Sequence, residues 1–417
     1  MPITVKIPGS KSITNRVLAL AALSNKTITI QNAAVCEDSD YMIHGLKKLG
    51  KIIDQKNDLI QIYQDDFKTG TSPIEIYTGN AGTATRFLTA IATLTNNTVI
   101  IEGDERMCER PIKELTDALN NLGADINTTN QCPPVVIKGR RLTGKTIAIN
   151  GNISSQYVSA ILMITPFIDG ITKIRIEQNL CSSPYVEMTL KLMERFKVEV
   201  MNYNFIQLKI DGNQTPNPPL VFPVEPDCSS ASYIGAYCAL NPEAEILLLG
   251  IFKNSIQGDI KFLEHLKTMG CKITENEKGT IIKGTKNLKS LGEVDMNTTP
   301  DLVMTFAVLA MFTEGKTKIT NISNLKIKET DRLKALENEI RKLGIKVKTG
   351  DDYIEINGNP KSLNTTSIIE IETYNDHRIA MCFGILQNKF PNLKINNPKC
   401  VEKSYPTFWE DLTKIKE

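Results

Sequence analysis

The chain has 417 residues, 41% of them apolar and 23% charged, with a net charge of +2. That length predicts two or three domains, each able to bury its own core, and the near-neutral balance excludes the basic footprint of a nucleic-acid or anionic-membrane binder. Nine cysteines without a C-x-x-C pair, three scattered histidines (His44, His265, His377) and no apolar run of membrane-spanning length point to a cytoplasmic, metal-independent enzyme or binding protein.

In chain order, "ITVKI" (Ile3–Ile7) reads as a strand that belongs to no repeat of its own. "GSKSITNR" (Gly9–Arg16) follows, a polar cluster leading into the apolar "VLALAAL". A helix end, "LKKLGKII" (Leu46–Ile53), closes the segment. The next stretch resolves into elements: a strand "IEIY" (Ile74–Tyr77), an apolar helix over Ala81–Leu94, a strand "TVIIE" (Thr98–Glu102), a helix over Pro111–Leu122 with proline at its first position, and strands "ADINT" and "PVVIK". This is a βαβαββ unit. Its first helix starts at "GNAGTATR" (Gly79–Arg86), a glycine-rich turn that suits an anion through free N–H groups and the helix dipole. It lacks the lysine and spacing of a P-loop.

The unit recurs. Comparable helix ends are "LNNLGADI", "MERFKVEV", "LKTMGCKI" and "IRKLGIKV", which place Gly50, Gly123, Lys197, Gly270 and Gly344 at steps of 73, 74, 73 and 74 residues. A sixth copy, closing on "FWEDLTKIKE", runs out of chain before its last strands. Further polar helix starts are "GNISSQY" (Gly151–Tyr157), "PDCSSASY" (Pro226–Tyr233), "NTTPDLVM" (Asn297–Met304) and "YNDHR" (Tyr374–Arg378). Ser, Thr, Asn and Asp there are explained by ordinary capping. Lys11, Arg16, Arg86 and Arg378 are not, because positive charge opposes the dipole at a helix start unless an anion sits in front of it. The proline-rich "NQTPNPPLVFPVEPD" (Asn213–Asp227) reads as a stiff connector between three repeats and three, with "IPGS" as a second crossing. The domains expected are therefore residues 10–226, and residues 1–9 with 227–417.

The ordered motifs "PGSKSITNR", "GNAGTATRF", "ERPI", "SSQYVSA", "SPY", "DCSSASY", "NSIQGD", "PDLVMT", "KETDRL", "YNDHRIAMCFG" and "EKSYPTFWEDL" resemble those of the 5-enolpyruvylshikimate-3-phosphate synthase family nearly end to end. The resemblance implies a two-domain inside-out α/β barrel of six βαβαββ units, three per domain, with buried helices and ligands in an interdomain cleft. It implies transfer of the enolpyruvyl group of phosphoenolpyruvate to the 5-hydroxyl of shikimate 3-phosphate with release of phosphate, without a cofactor. These small molecules are the partners expected, and the chain is expected to be a monomer.

By the same resemblance, shikimate 3-phosphate is held by Lys11, Ser12, Arg16, Ser154, Ser155, Gln156, Ser182, Tyr185, Asp301, Asn324 and Lys328. Phosphoenolpyruvate is held by Lys11, Asn80, Gly82, Arg110, Gln156, Arg332, Arg378 and Lys403. Asp301 and Glu329 match the acid–base carboxylates, with Lys11 and Lys403 as cationic helpers. Asp301 opens the fifth repeat's helix, whose N-terminus favours an ionised base for the hydroxyl proton. Glu329 stands between Lys328 and Arg332, so bound anions would be needed before it is protonated and can act as the acid. His377 within "NDHR" reads as a positioning residue.

Three positions depart from the family pattern. Thr85 and Phe87 stand where methionine and proline are common, which bears on sensitivity to glyphosate, a mimic of the donor in this family. Ser183 replaces a common lysine beside Ser182. Two rival readings remain: a sibling transferase acting on UDP-N-acetylglucosamine, and a non-catalytic repeat scaffold. The sibling places a cysteine several residues before its Arg-Pro pair, whereas Cys108 lies two before Arg110.

Overall fold

In the computed structural model, which describes residues 2–24, 26–70, 72–363 and 367–416, the recurring glycine is a helix terminator. Gly50, Gly123, Gly270 and Gly344 have φ of 107°, 111°, 106° and 84°, and Lys197 takes the same left-handed region at 60°. At Gly50, Gly123, Lys197 and Gly270 the chain then folds back with two bonds, as in Gly50 N–H to Lys47 O (3.0 Å) and Lys51 N–H to Leu46 O (3.0 Å). This pattern satisfies helix carbonyls that would otherwise lack partners. The repeat seen in the sequence is thus a repeat of backbone geometry.

The chain divides into one unit over Gly9–Val224 and a second formed by residues up to Pro8 and from Glu225 on. The Gly9–Val224 unit has three four-stranded sheets. In order across each sheet they are Val221–Pro223, Ile28–Gln31, Leu59–Ile62, Ile53–Lys56; then Ile74–Tyr77, Thr98–Glu102, Cys132–Lys138, Asp125–Thr129; then Thr146–Asn150, Ile171–Glu177, Gln207–Asp211, Met201–Tyr203. The first pair in each sheet is parallel and the rest antiparallel. The second unit repeats this twice, with Ile3–Lys6, Glu245–Leu249, Gly279–Lys283, Lys272–Asn276, and with Glu293–Asp295, Gly315–Thr320, Ile354–Gly358, Lys346–Thr349. Its third repeat is short, pairing only Ile369–Ile371 with Leu393–Ile395. Among the described residues no helix is long and apolar enough to cross a membrane.

The strand without a repeat finds its place by pairing. Ile3–Lys6 lies parallel to Glu245–Leu249, in register Ile3 to Ile246. The matching place in the Gly9–Val224 unit is taken by Val221–Pro223 beside Ile28–Gln31. The proline-rich segment is therefore more than the connector expected: Phe222 points inward and is buried, while Val221 and Pro223 face out. Proline is tolerated because this strand lies at the sheet edge.

Each unit packs its sheets around apolar helices. Lys11–Leu23, Gly82–Ala92 and Ser155–Ile164 contact one another in the first unit, and Val303–Ala310 touches both Cys228–Leu240 and His377–Gly384 in the second. Every residue of Gly82–Ala92, Cys228–Leu240, Val303–Ala310 and His377–Gly384 is buried. A fully buried Leu, Ile or Phe contributes about 1.5–3 kcal/mol of transfer free energy, so these helices anchor the cores. Threonines inside them bond back to the preceding turn, as Thr85 Oγ1 does to Ala81 O (3.0 Å) and Thr89 Oγ1 to Thr85 O (2.7 Å).

One helix begins later than expected. Lys113–Asn121 starts two residues beyond Pro111. The Pro111 carbonyl is taken instead by the Tyr157 hydroxyl and by Arg86 NH2 (3.4 Å).

The left-handed Lys197 gives a direct test. An L-residue is disfavoured there by about 1–2 kcal/mol, part of which glycine's chain entropy offsets. Lys197→Gly should raise stability by about 1 kcal/mol, read as a higher denaturant midpoint at unchanged slope. A lower midpoint would show that the exposed Lys197 side chain contributes more than the backbone conformation costs.

Candidate active site

In the Gly9–Val224 unit three interior helices start side by side. Gln156, in the first turn of one, donates from Nε2 to Thr83 Oγ1 in the first turn of another (3.1 Å). Arg16, five residues into the Lys11 helix, reaches Ser159 of the Ser155 helix (3.4 Å) and lies 5.3 Å from the Phe87 ring of the Gly82 helix. Ser10 and Ser154 cap two of these helices through their side chains, but the Gly82 helix has Ala81 before it and no side-chain cap. That uncapped start is the one belonging to the glycine-rich turn.

Lys11 Nζ pairs with the buried carboxylate of Asp38 at 2.8 Å. Arg16 is only 2% exposed and donates to Thr189 Oγ1 (2.7 Å), Ser12 O (2.9 Å) and Tyr185 O (3.3 Å). Burial lowers its pKa to about 10, with Tyr185 acting weakly the other way. No carboxylate pairs with Arg16 or Arg86 among the described residues; they bond hydroxyls and carbonyls and lie over the rings of Phe87, Tyr185 and Tyr157. Phe87, where a proline is common, thus supplies a face for Arg16.

Two guanidiniums converge on Gly82. Arg110 NH1 donates to Asn80 O (3.1 Å) and Asn80 Oδ1 (2.8 Å), and Arg86 NH1 donates to Gly82 O (2.9 Å). A Cβ on Gly82 would lie 2.3 Å from Arg86 NH1 and 2.7 Å from Arg110 NH2. A side chain at this position would push the ends of both guanidiniums aside. Ser155 and Ser182 are buried nearby in sequence to the Gln156 turn and the Ser183–Arg195 helix, and Ser182 has φ 54°.

The second unit gathers its residues around Arg332, 1% exposed at the start of the Arg332–Lys342 helix. Its Nε donates to Asp376 Oδ2 (2.7 Å), NH1 to Asp301 Oδ1 (3.1 Å) and NH2 to Glu329 Oε2 (2.7 Å). Burial opposes the charge, but Asp376, Glu329 and Asp301 together outweigh it and raise the guanidinium's pKa, against a smaller effect of Arg378. Asp301 passes the network on: its Oδ2 accepts from Arg378 NH2 (2.7 Å), and Arg378 NH1 donates to the Tyr233 hydroxyl (3.2 Å). Asp301 sits on a 3-10 turn, Pro300–Leu302, just ahead of the helix it was expected to open. Asn324 and Lys328 follow on the turn packed against the Arg332 helix, and Lys403 ends a turn packed on the His377 helix. His377 is buried with Nδ1 3.8 Å from Asp376 Oδ1.

Several participants went unassigned in the sequence. Asp376 was quoted within "YNDHR", yet its carboxylate both caps Arg378 N–H (2.8 Å) and holds Arg332. Asp38 and Thr189 carried no signal beyond their types, and Tyr233 was quoted within "PDCSSASY" without a role. Asp259, inside "NSIQGD", accepts from the Ser229 hydroxyl, and burial, then the charge of Asp301, push its carboxyl up to about 7. Cys108 is a half-buried thiol 3.9 Å from Gly103 O.

Comparisons with known proteins follow this geometry. The family model described as EPSP synthase (3-phosphoshikimate 1-carboxyvinyltransferase) matches residues 2–412. A 3-phosphoshikimate 1-carboxyvinyltransferase of Colwellia psychrerythraea is 42% identical over 414 residues, covering 98% of this chain and 96% of that protein. One from Haemophilus influenzae is 41% identical over 421 residues, covering 99% and 96%. Among solved structures, EPSP synthase from Acinetobacter baumannii superposes with a TM-score of 0.80 at 25% identity, covering 99% of this chain and 96% of that one. The enolpyruvyl transferase NikO from Streptomyces tendae, at 15% identity and a TM-score of 0.75, shares the fold.

Two stability measurements check the charge arrangement. Arg332→Leu leaves the fully buried Asp376 without its guanidinium and should cost about 3–5 kcal/mol in denaturant unfolding. A loss below 1 kcal/mol would mean that water or Arg378 replaces it. For Asp259, a folded pKa near 7 against an unfolded 3.8 means that the carboxyl's contribution is complete below the unfolded value. That contribution is lost as pH rises through 7. Asp259→Asn should therefore flatten the fall in stability between about pH 4 and 7; an unchanged slope would assign the titration elsewhere.

Proposed function

The chain belongs to the EPSP synthase family, and from that premise we propose how its residues divide the work of moving an enolpyruvyl group from phosphoenolpyruvate to shikimate 3-phosphate. The family sets aside both the UDP-N-acetylglucosamine acceptor and the scaffold reading. The reaction serves the shikimate pathway. Its two substrates bring two phosphates and two carboxylates, which call for cations and N–H donors on the protein.

Shikimate 3-phosphate is assigned to Lys11, Ser12, Arg16, Ser154, Ser155, Gln156, Ser182, Tyr185, Asp301, Asn324 and Lys328. Arg16 supports this, because a buried guanidinium without a carboxylate gains most from an anionic ligand. Phosphoenolpyruvate is assigned to Lys11, Asn80, Gly82, Arg110, Gln156, Arg332, Arg378 and Lys403. The uncapped Gly82 helix start, flanked by Arg110, supports a phosphate or carboxylate there. All these residues belong to one chain, so the reading needs no residue from a second copy.

The observation that carries the chemical assignment is the Asp301 carboxylate held between Arg332 and Arg378, with Glu329 on the far edge of Arg332. Asp301 accepts the proton of the attacking 5-hydroxyl, whose oxygen bonds to the central carbon of the donor. Glu329 delivers a proton to the methylene carbon, making a methyl group. Elimination returns a methyl proton to the Glu329 carboxylate, re-forms the double bond and expels phosphate, which takes up the hydroxyl proton from Asp301 as it leaves. Two cations beside Asp301 favour its ionised form, while bound anions offset the cations beside Glu329 and favour its protonation. Lys11, oriented by Asp38, and Lys403 stabilise the charge that develops on the donor.

Phosphate release from the two substrates and calorimetry with shikimate 3-phosphate test the assignment together. Glu329→Gln and Asp301→Asn should each lose about 10²-fold or more in turnover while still binding shikimate 3-phosphate. Near-normal turnover in Glu329→Gln would remove it from the mechanism and leave Lys403 or Lys11 as the proton donor. Gly82→Ala should raise the KM for phosphoenolpyruvate about tenfold or more, because the added methyl displaces two guanidiniums; an unchanged KM would remove Gly82 from the donor site.

A further inference from the structure

The segment Glu372–Asp376 runs between an edge strand and the His377 helix, and one helix holds both of its ends. Arg332 and Glu339 lie seven residues apart on Arg332–Lys342, two turns along the same face. Arg332 grips Asp376 at the far end of the segment. Glu339, 0% exposed, grips the near end: its Oε2 accepts from Glu372 N–H (3.1 Å) and its Oε1 from the Tyr374 hydroxyl (2.8 Å). Lys342 Nζ neutralises it at 2.6 Å and also donates to Glu370 O (2.9 Å).

Between these two grips the backbone is in an unfavourable conformation. Tyr374 and Asn375 have φ of 53° and 54°, consecutive left-handed residues. Asparagine tolerates that region, but a bulky aromatic does not. Asn375 is further held by Asn397 Nδ2 (3.0 Å), and Asp376 N–H closes the turn onto Thr373 O (2.8 Å). Tyr374 is 38% exposed, so it adds little to the core. What the side chain adds is a hydroxyl for a buried carboxylate. The conformation it secures sets Asp376, which caps Arg378 N–H and thereby fixes where the Arg378 guanidinium emerges.

We propose that Glu339 and Tyr374 are positioning residues for the donor, acting through the 372–376 turn to seat Asp376 and Arg378. This rests on the assignment of Arg378 to phosphoenolpyruvate. Neither residue is assigned to a substrate, and both Arg332 and Arg378 are assigned to the donor while only Asp301 among their partners is assigned to the acceptor, so loss of the contact shifts donor binding more than acceptor binding. A residue that merely stabilised the fold would lower the melting temperature without separating the two substrates.

The test is steady-state kinetics on the full chain, with calorimetry for shikimate 3-phosphate. Tyr374→Phe removes the bond to Glu339 and an exposed one from Asn338 Nδ2 (3.2 Å); it should raise the KM for phosphoenolpyruvate about three- to tenfold, with a smaller change in the affinity for shikimate 3-phosphate. Tyr374→Ala and Tyr374→Gly both lack the hydroxyl, but glycine adopts positive φ without penalty. Glycine should therefore recover part of the KM that alanine loses. Glu339→Gln should shift the donor KM in the same direction; the Tyr374 series decides the matter if that variant does not fold. An unchanged donor KM in Tyr374→Phe and Tyr374→Ala, or equal values for alanine and glycine, would overturn the proposal. Arg378→Gln separates the two levels. If it leaves the donor KM unchanged, the donor assignment fails and this inference with it. If it raises the KM while the Tyr374 variants do not, this inference alone fails.

Discussion

Arg332 keeps a full charge with almost none of its side chain in water, and the carboxylate network of its unit follows from that. Taking a guanidinium out of water costs several kcal/mol unless carboxylates and hydrogen bonds offset it. Here the offset comes from Glu329, 3 residues before Arg332, and from Asp301 and Asp376, 31 and 44 residues away in sequence. A planar guanidinium dictates the angles of its partners as well as their presence. The two carboxylates assigned to proton transfer therefore owe their spacing to one buried cation. Arg378 extends the constraint by taking the other oxygen of Asp301.

The Gly9–Val224 unit handles buried cations differently. Arg16 and Arg86 meet hydroxyls, backbone carbonyls and aromatic faces, none of which cancels a charge. Such sites keep their attraction for an anionic ligand, whereas the carboxylates around Arg332 restrict what it can attract. The contrast is one of partners: buried cations of the first unit meet neutral groups, whereas Arg332 and Arg378 meet carboxylates. Lys11 is the exception in the first unit, held by Asp38 and so oriented.

The repeat explains why function collects at helix starts. Helices buried on all sides have no water at their first turn, and the N–H groups there need partners. Side chains supply them at Ser10, Ser154, Asp227 and Asp376. At Ala81 no side chain does, and the glycine-rich turn with Arg110 stands in front. A fold of buried helices thus calls for partners at each helix start; the Val303–Ala310 helix, also without a side-chain cap, follows directly on the Pro300–Leu302 turn.

Local physics was legible in the sequence. Glycine at fixed intervals reads as a helix terminator because only the left-handed region demands it, and Lys197 shows that the geometry persists even where the residue type changes. Polar helix starts, alternating strands and the ordered motifs carried the repeat, the family and most of the assigned site. Pairings between distant segments were not legible. Nothing local told that Val221–Pro223 would join a sheet, that Pro111 would give its carbonyl to Tyr157 and Arg86, or that Asp376 would be the anchor of Arg332. Nor did the type of Glu339 or Tyr374 announce a fastening between them. Sequence determines what each residue can donate, accept or bury, and which backbone conformations it tolerates. Which donor meets which acceptor is decided only when packing brings them within a hydrogen bond's length, because that energy depends on distances the linear order does not contain.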